Sequence, residues 1–430
     1  METKDFIVKR LGPCTVKSPL ALSKTYGDGQ YNYVEDDERI FYDVSLKNYL
    51  QTCKQGGEPL SFEKAGPKEM LYFEPAKTRA GIVTCGGLCP GLNNVIRSLV
   101  IQLYSRYKVT KILGFRYGYE GLVPSYNHDV VELTPDKVDD IHHLGGSVLG
   151  SSRGNQDVGE IVNTLDRMNV NILFCIGGDG TLRGAHAIHE EIERRGLKIA
   201  IAGIPKTIDN DLASTDITFG FDTAVNTATW AIDKIRTTGE SHHRVMVVEV
   251  MGRYAGWIAL QAGIASGADI ILIPEIPFRF EKVYHIIRER VSTGRHHSII
   301  VVAEGAKPEG GEMTVKKIVE DSADPIRLGG IGEVLANKIQ SELGIESRST
   351  ILGHIQRGGS PSAFDRILST RLGVGAVRLI GEGKFGRMVC LRTPRVDSVT
   401  LEEAVKQLKK VSPDIDMVQA ARAIGVSFGD

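Results

Sequence analysis

A short stretch of this chain, from Lys206 to Asp211, carries two carboxylates, a hydroxyl and a lysine. A carboxylate can accept the proton of an attacking hydroxyl group, and a cation can offset the charge of a phosphoryl group in transfer. A loop that only connects two elements seldom carries all of these groups. We therefore interpret Lys206, Thr207, Asp209 and Asp211 as the catalytic residues of a phosphoryl-transfer site.

A glycine-rich stretch between Thr84 and Asn93 follows an apolar run and precedes a helix-like segment. Glycines such as Gly86 and Gly87 let the backbone approach a bulky anion closely, and the N–H groups at the start of a helix point towards it. The stretch therefore indicates phosphate binding. Taken alone, it is equally compatible with a tight turn from strand to helix.

A second turn, from Ile176 to Thr181, places Asp179 between Gly178 and Gly180. Magnesium prefers oxygen ligands and bridges phosphates, so a carboxylate beside a phosphate-binding turn suits a Mg²⁺ site. The alternative is that Asp179 only caps a helix. Similar strings occur in NAD kinases and lipid kinases, so this turn indicates phosphoryl transfer and leaves the acceptor open.

These loops have to be positioned by a regular framework, and the chain changes character at about residue 80. Short apolar runs, which predict strands, occupy 80–84, 111–115, 171–176, 198–204, 244–250, 268–273, 297–304 and 387–392. Helix-like segments between them include 93–107, 181–195, 221–236, 254–266, 280–293, 329–343 and 362–381. Strands that alternate with helices predict an α/β fold with two Rossmann-like domains, whose sheets are largely parallel and covered on both faces. In such folds ligands lie at the carboxyl ends of the strands, where the loops above stand.

Residues 1–78 read differently, with several turn signals and no sustained periodicity. We interpret them as an N-terminal extension that packs on the main body or on a neighbouring subunit. Aromatic side chains that can anchor it are Tyr31, Tyr33, Phe41, Tyr42, Tyr72 and Phe73.

The composition of the 430 residues narrows the choice of partners. The 52 Lys and Arg residues nearly cancel the 53 Asp and Glu residues, so no overall field attracts nucleic acid or an anionic membrane. The six cysteines lack the spacing of a zinc or redox site. No signal peptide or membrane-spanning run is apparent, which predicts a cytoplasmic protein.

Two further motifs indicate which molecule accepts the phosphoryl group. The run Gly353-His354-Ile355-Gln356-Arg357-Gly358-Gly359-Ser360-Pro361, followed by Asp365-Arg366, closely resembles the sugar-phosphate loop of the 6-phosphofructokinases. The run Val248-Glu249-Val250-Met251-Gly252-Arg253-Tyr254-Ala255-Gly256 resembles their second substrate loop. With the two earlier loops, four motifs stand in the order of that family, and the resemblance extends over roughly 80–400.

The resemblance implies roles for individual residues. Asp209 matches the base that takes the proton from the 1-hydroxyl of fructose 6-phosphate, and Asp179 matches the Mg²⁺ ligand. The implied nucleotide-binding residues are Gly86, Gly87, Arg153, Gly178, Asp179, Gly180 and Thr181. The implied sugar-phosphate residues are Thr207, Asp209, Arg244, Met251, Gly252, Arg253, Glu304, Arg348, His354 and Arg357.

In this family, the arginines that match Arg244 and Arg348 reach the 6-phosphate from a neighbouring subunit, which implies a homodimer or homotetramer. The resemblance also implies a nucleotide domain of residues 79–220 and 356–406. The sugar-phosphate domain is expected to comprise 221–355 and 407–430. Allosteric effectors stay open, because Arg97 matches one arginine of the bacterial effector site but Ile101 replaces the expected basic residue one turn later.

The phosphoryl donor is indicated by two positions that disagree. Pyrophosphate-dependent members carry an Asp where this chain has Gly180, and that second carboxylate would crowd the α-phosphate of a nucleotide. Lys206, in contrast, is typical of pyrophosphate-dependent members. Because a steric block is harder to evade than an extra cation, we expect ATP as the donor, with pyrophosphate as the alternative.

Overall fold

The computed structural model of the chain describes residue 8, residues 11–318 and residues 326–430. In chain order its strands are β1 (Val16–Lys17), β2 (Arg39–Phe41), β3 (Ser61–Glu63), β4 (Met70–Leu71), β5 (Arg79–Thr84), β6 (Lys111–Phe115), β7 (Val130–Glu132), β8 (Ile172–Gly177), β9 (Ala200–Pro205), β10 (Val245–Val250), β11 (Ile270–Leu272), β12 (Ser298–Ala303), β13 (Val315–Ile318), β14 (Ile326–Leu328), β15 (Ser347–Ile351), β16 (Arg387–Arg392) and β17 (Arg395–Thr400). Its α-helices are α1 (Leu46–Lys54), α2 (Leu92–Ser105), α3 (Pro135–Val138), α4 (Val158–Arg167), α5 (Asp179–Arg195), α6 (Phe221–His242), α7 (Trp257–Ala265), α8 (Phe280–Ser292), α9 (Ile331–Leu343), α10 (Ala363–Gly381), α11 (Leu401–Ala404) and α12 (Asp416–Ala423).

The larger sheet has seven strands in the order β17-β16-β9-β8-β5-β6-β7. Its neighbours from β16 to β6 run parallel, and the edge strands β17 and β7 are antiparallel. Almost every residue of β5, β8 and β9 is buried, because helices cover both faces of the sheet. The carboxyl ends of these three adjacent strands lead directly into the two glycine-rich turns and the Lys206–Asp211 loop.

The second sheet has four parallel strands in the order β11-β12-β10-β15. The loop that starts at Met251 follows β10, and Glu304 follows β12. Together the two sheets confirm the predicted α/β architecture. The edge strand β15 was missing from the prediction because its sequence, Ser-Arg-Ser-Thr-Ile, is too polar to form an apolar run.

A buried carboxylate joins helix α10 to the start of helix α6. Asp365 accepts hydrogen bonds from the backbone N–H groups of Gly220 and Thr223, both at 2.8 Å, and from the Thr223 hydroxyl at 2.5 Å. These N–H groups lie at the start of α6, where no carbonyl within the helix can accept their hydrogen bonds. Burial raises the pKa of Asp365 to about 6. The Asp365-Arg366 pair of the sugar-phosphate motif thus includes a residue that fixes the helices behind the site.

The N-terminal extension packs on the larger sheet through its last residues. The ring centroids of Tyr72 and Phe73 lie 5.8 Å and 5.6 Å from that of Phe385, just before β16. By contrast, Tyr31 is 87% exposed, and Phe41 and Tyr42 are each 49% exposed. Only part of the expected aromatic anchor therefore forms within the described residues of this chain. Residues 1–7, 9 and 10, on which the expectation about a signal peptide rests, lie outside them.

None of the helices in the described part of the chain combines the length and the apolar character needed to cross a bilayer.

Candidate active site

A cavity of about 760 Å³ collects the loops at the carboxyl ends of the two sheets. Its walls contain all the site residues predicted from the sequence except Gly252, Arg244 and Arg348. The predicted residues that line it are Gly86, Gly87, Arg153, Gly178, Asp179, Gly180, Thr181, Lys206, Thr207, Asp209, Asp211, Met251, Arg253, Glu304, His354 and Arg357. The fold thus brings together residues that lie as far apart in the sequence as Gly86 and Arg357.

The Lys206–Asp211 loop is held in a defined shape by the segment that follows it. Thr218 donates a hydrogen bond from its hydroxyl to the Thr207 carbonyl at 2.7 Å and from its N–H to Asn210 Oδ1 at 3.1 Å. Asn210 adopts a left-handed backbone conformation with φ of 52°, which asparagine tolerates better than most residues. The turn at Asn210 lies between the two carboxylates, Asp209 and Asp211.

One oxygen of Asp209 lacks a hydrogen-bond donor. Asp209 Oδ1 is buried, and no group in the described part of the chain donates a hydrogen bond to it. A buried acceptor without a donor costs stability, and such atoms commonly mark a functional site. Asp209 itself lines the cavity, and a carboxylate in this position suits a group that accepts a proton from a bound hydroxyl.

The pKa values of three carboxyl groups of the cavity, Asp209, Asp211 and Glu304, are raised. Burial raises the pKa of Asp209, and the positive charges of Arg357 and Lys206 oppose that rise. Burial, followed by the charge of Asp209, raises the pKa of Asp211 to about 6 and that of Glu304 to about 7. Carboxyl groups with strongly raised pKa values in a cleft are candidates for acid–base work.

Three cations converge on the first glycine-rich turn. Lys206 is 4% exposed and donates a hydrogen bond from Nζ to the Gly87 carbonyl at 2.7 Å. Arg357 Nη1 donates to the Leu88 carbonyl at 3.3 Å. A Cβ atom at Gly87 would lie 2.6 Å from Arg357 Nη1 and 3.1 Å from Arg153 Nη2, so glycine is what admits both guanidinium groups. Burial lowers the pKa of Lys206. This positive cluster suits a phosphate group.

The second glycine-rich turn opens helix α5. Asp179, the first residue of that helix, accepts a hydrogen bond from Arg183 Nε at 2.9 Å and stays partly exposed to the cavity. A Cβ atom added at Gly180 would meet no other group within 4 Å. A longer side chain at position 180 would therefore enter open space, and glycine leaves that space to a ligand.

The acidic residues of the cavity fit a magnesium ion that arrives with a phosphate ligand. Within residues 11–318 and 326–430, no group of three or more His, Cys, Asp or Glu side chains is arranged to hold a metal by itself. Magnesium in phosphoryl-transfer sites is usually bound by one or two carboxylates together with substrate phosphates and waters. Asp179 in the cavity wall and the unpaired oxygen of Asp209 match that requirement.

The loops on the sugar side are tied to each other by a residue that the sequence interpretation did not single out. The fully buried side chain of Gln356 accepts a hydrogen bond from Met251 N–H at 3.4 Å and donates one to the Gly353 carbonyl at 3.1 Å. It therefore joins the loop after β10 to the short 3₁₀ helix Gly353–Arg357 that carries His354. Gln356 lies within the sugar-phosphate motif, so that motif was the available signal.

Gly252 shapes this region without lining the cavity. It has a φ of 136°, and a Cβ atom there would lie 2.8 Å from the Ala255 carbonyl oxygen. The prediction that Gly252 holds the sugar ring was based on its motif. Its position is that of a turn residue between Met251 and Arg253.

Arg244 and Arg348 lie at the opposite end of the second sheet. Arg244 pairs with Glu346 at 2.8 Å, and Arg348 pairs with the same carboxylate. Both arginines stand at the beginnings of parallel strands, whereas the cavity lies beyond the ends of those strands. Over the length of β10 that separation is about 17 Å at the usual rise per residue. Neither arginine joins the cavity of its own chain.

Tyr119 and Asn155 line the cavity and were missed by sequence reasoning. The Tyr119 hydroxyl donates a hydrogen bond to the Thr181 carbonyl at 2.7 Å and so supports the second glycine-rich turn. Tyr119 follows β6, so attention to the carboxyl end of that strand would have pointed to it. Asn155 lies near Arg153, in a loop without a distinctive pattern.

Comparison with known proteins gives consistent matches. A family model described as phosphofructokinase matches residues 79–380. An ATP-dependent 6-phosphofructokinase 2 from Clostridium perfringens is 47% identical over 376 residues, which cover 83% of this chain and 100% of that protein. A pyrophosphate–fructose 6-phosphate 1-phosphotransferase from Amycolatopsis methanolica is also 47% identical, over 341 residues that cover 78% of this chain and 97% of that protein. A solved structure of a pyrophosphate-dependent phosphofructokinase from Marinobacter aquaeolei shares the fold, with a TM-score of 0.70 at 23% identity over 81% of this chain and 88% of that one.

Proposed function

Because this chain belongs to the phosphofructokinase family, we propose that it is an ATP-dependent 6-phosphofructokinase. It transfers the γ-phosphoryl group of ATP to the 1-hydroxyl of fructose 6-phosphate and yields fructose 1,6-bisphosphate and ADP. The observation that carries this proposal is the carboxylate of Asp209, which has an oxygen without a donor and lines the same cavity as Lys206 and Arg357. A regulatory protein without activity would have no need to bury a carboxylate in this way.

In the proposed mechanism Asp209 accepts the proton of the sugar 1-hydroxyl as that oxygen attacks the γ-phosphorus in line. Lys206 and Arg153 offset the negative charge that develops as the bond to ADP breaks. The glycine-rich turns present backbone N–H groups to the donor phosphates. A magnesium ion held at Asp179 would spread the charge of those phosphates. His354, Arg357 and the arginines of a neighbouring subunit hold the 6-phosphate, so a sugar without that group should react poorly.

The open space at Gly180 supports ATP as the donor. A carboxylate at this position would extend into the cavity beside Asp179 and repel the α-phosphate of a nucleotide. Lys206, whose presence favours pyrophosphate, donates a hydrogen bond to the Gly87 carbonyl. Its ammonium therefore also shapes the turn, which does not require a particular donor. The named relatives include enzymes of both donor types, so this choice rests on the cavity.

We further propose the division into a nucleotide domain of residues 79–220 and 356–406 and a sugar-phosphate domain of residues 221–355 and 407–430. Segments 221–355 and 407–430 meet where Ile271 N–H donates a hydrogen bond to the Ser427 carbonyl at 2.9 Å, which supports the placement of the C-terminal residues with the second sheet. The distance of Arg244 and Arg348 from their own cavity supports a homodimer or homotetramer. The cytoplasmic location stays a prediction.

The deciding experiment is the initial rate of fructose 1,6-bisphosphate formation from fructose 6-phosphate and Mg²⁺, with ATP or pyrophosphate as donor. We expect turnover with ATP and little with pyrophosphate. Turnover with pyrophosphate alone would reverse the donor assignment and leave the acceptor and the base in place. No turnover with either donor would refute the proposed function. Unphosphorylated fructose is the matched control for recognition of the 6-phosphate.

A further inference from the structure

A C-terminal segment, residues 408–411, bridges the loop with the catalytic carboxylates and the start of helix α7. Leu408 forms an antiparallel bridge with Leu212, and Lys409 N–H donates a hydrogen bond to the Asp211 carbonyl at 2.7 Å. On the other side, Trp257 Nε1 donates to the Lys409 carbonyl at 3.0 Å. Trp257 begins α7, directly after the sugar-side motif. A single residue, Lys409, therefore contacts both the loop of the catalytic carboxylates and the start of α7 through its backbone.

The ammonium group of Lys409 has three acceptors, one for each of its protons. It donates to Asn210 Oδ1 at 2.9 Å, to the Thr215 carbonyl at 3.0 Å and to the Asp216 carbonyl at 2.8 Å. The side chain is half-buried, and hydrogen bonds from a charged donor in such surroundings are strong. Lys409 thus closes the segment that runs from Asn210 to Asp216 into a compact loop.

The choice of Asn210 as a partner is significant because of its position between the two carboxylates. Its Oδ1 atom accepts from both Lys409 and Thr218 N–H, and its left-handed backbone sets the directions of Asp209 and Asp211. The charges that face Lys409 are the carboxylates of Asp216 and Asp211. Burial lowers the pKa of Lys409 to about 8 against the pull of these carboxylates, so the ammonium form prevails at neutral pH.

We propose that Lys409 is a positioning residue, which holds Asn210 in its left-handed turn and thereby aims Asp209 at the sugar hydroxyl. This proposal rests on the proposed function, since it concerns the base of that reaction. Lys409 is remote from Asp209 in the sequence and outside the residues that line the cavity. Its effect on the reaction is therefore transmitted through Asn210.

The test compares Lys409→Met with Lys410→Met, a matched change at the exposed neighbour. A small misplacement of a catalytic group can lower the rate about 100-fold, so we expect kcat of the Lys409 variant to fall by about 10- to 100-fold. The KM for fructose 6-phosphate should change far less than kcat. Amide hydrogen exchange should become faster in 207–216 and 252–257, while the melting temperature and exchange elsewhere stay those of the Lys410 variant.

A double-variant cycle separates positioning from general support. Asn210→Gly keeps the left-handed backbone accessible and removes the acceptor. If Lys409 acts through Asn210, the two losses should not multiply. The kcat of the double variant should then lie within about threefold of the kcat of the slower single variant. Losses that multiply would place the effect of Lys409 elsewhere and overturn the proposal.

Two further outcomes also overturn it. A kcat of the Lys409 variant within tenfold of the Lys410 control would show that the hydrogen bonds of Lys409 (the Lys409 clamp) do not position the base, whatever the exchange pattern. A general rise in exchange with a lowered melting temperature would show a structural role only. If the unaltered enzyme has no activity, the proposed function fails, and unchanged exchange in 207–216 would then reject the clamp independently.

Discussion

Replacement of Asp209 by Asn tests the catalytic base and the energetic cost of burying it. The two side chains have nearly the same shape, so the change removes the charge and the ability to accept a proton without leaving a cavity. Asp209 Oδ1 has no donor among the described residues, and burial raises the pKa of this carboxyl group. The substitution should therefore affect activity and stability in opposite directions.

The expected loss of activity follows from the role of a general base. Such a base contributes about 10²- to 10⁴-fold to the rate, which corresponds to about 2.7–5.4 kcal/mol of activation free energy. The loss should appear in kcat, with the KM for fructose 6-phosphate close to that of the unaltered enzyme, because we propose that the arginines and His354 bind the 6-phosphate. Asp209→Ser should lose at least as much.

The stability should change in the other direction. Because the pKa of Asp209 is higher in the folded protein than in the unfolded chain, the folded state binds this proton more tightly. Above the ordinary carboxyl range, the ionised group therefore destabilises the fold, and that cost is removed in the Asn variant. We expect the free energy of unfolding at pH 7.5 to rise by about 1 kcal/mol, which is in the usual range for a stabilising substitution.

Steady-state kinetics and thermal unfolding of the same preparations provide the assay. The matched control is Asp233→Asn, a change of an exposed carboxylate on α6 that should leave both quantities unaltered. If Asp209→Asn keeps kcat within tenfold of the unaltered enzyme, Asp209 is not the base. If the variant is less stable than the enzyme at pH 7.5, the argument from burial is wrong, even where the rate falls as expected.

Three further outcomes follow from the cavity. Gly180→Asp should lower kcat/KM for ATP far more than for pyrophosphate, since its carboxylate enters the space left to the nucleotide; equal losses would contradict the steric argument, with Gly180→Ala as control. Activity should fall as the pH drops from 7 to 6, because Glu304, with a pKa of about 7, and Asp211, with a pKa of about 6, take up protons in this range. In Glu304→Gln the part of this decline near pH 7 should disappear. The titration of the substrate phosphate, near about pH 6, should be the same in both enzymes. Arg348→Ala should raise the KM for fructose 6-phosphate. Oligomers re-formed from a mixture of the Arg348→Ala and Asp209→Asn variants should recover activity, and the absence of recovery would rule out a contribution of Arg348 across subunits.

The framework was predictable because buried parallel strands have an unmistakable composition. Runs such as 171–176 and 198–204 are apolar throughout, and the structure forms β8 and β9 there. β15 escaped prediction because an edge strand with one exposed side can be polar, as Ser347–Ile351 is. Its place in the sheet is fixed by hydrogen bonds to β10, which no local pattern reveals.

The site was predictable to the extent that its residues stand in glycine-rich or charged loops after strands. Residues that act by support were harder to find. Gln356 was named only as part of a motif. Lys409 lies in a lysine-rich stretch, a pattern typical of a solvent-exposed surface. The side chains of both form hydrogen bonds to backbone groups distant in the sequence, and such contacts depend on the completed fold.

Two opposing effects set the pKa of Asp209, the proposed base. A carboxylate with an ordinary pKa, near 4, is a weak base at neutral pH, and burial of Asp209 makes it stronger. Burial favours the protonated form of Asp209, which cannot accept a proton. Arg357 and Lys206 oppose the rise, so the same two cations that suit a phosphate also favour the ionised form of Asp209. Lys206 can do both because it reaches the cavity from the loop of Asp209 itself while its ammonium contacts the glycine-rich turn.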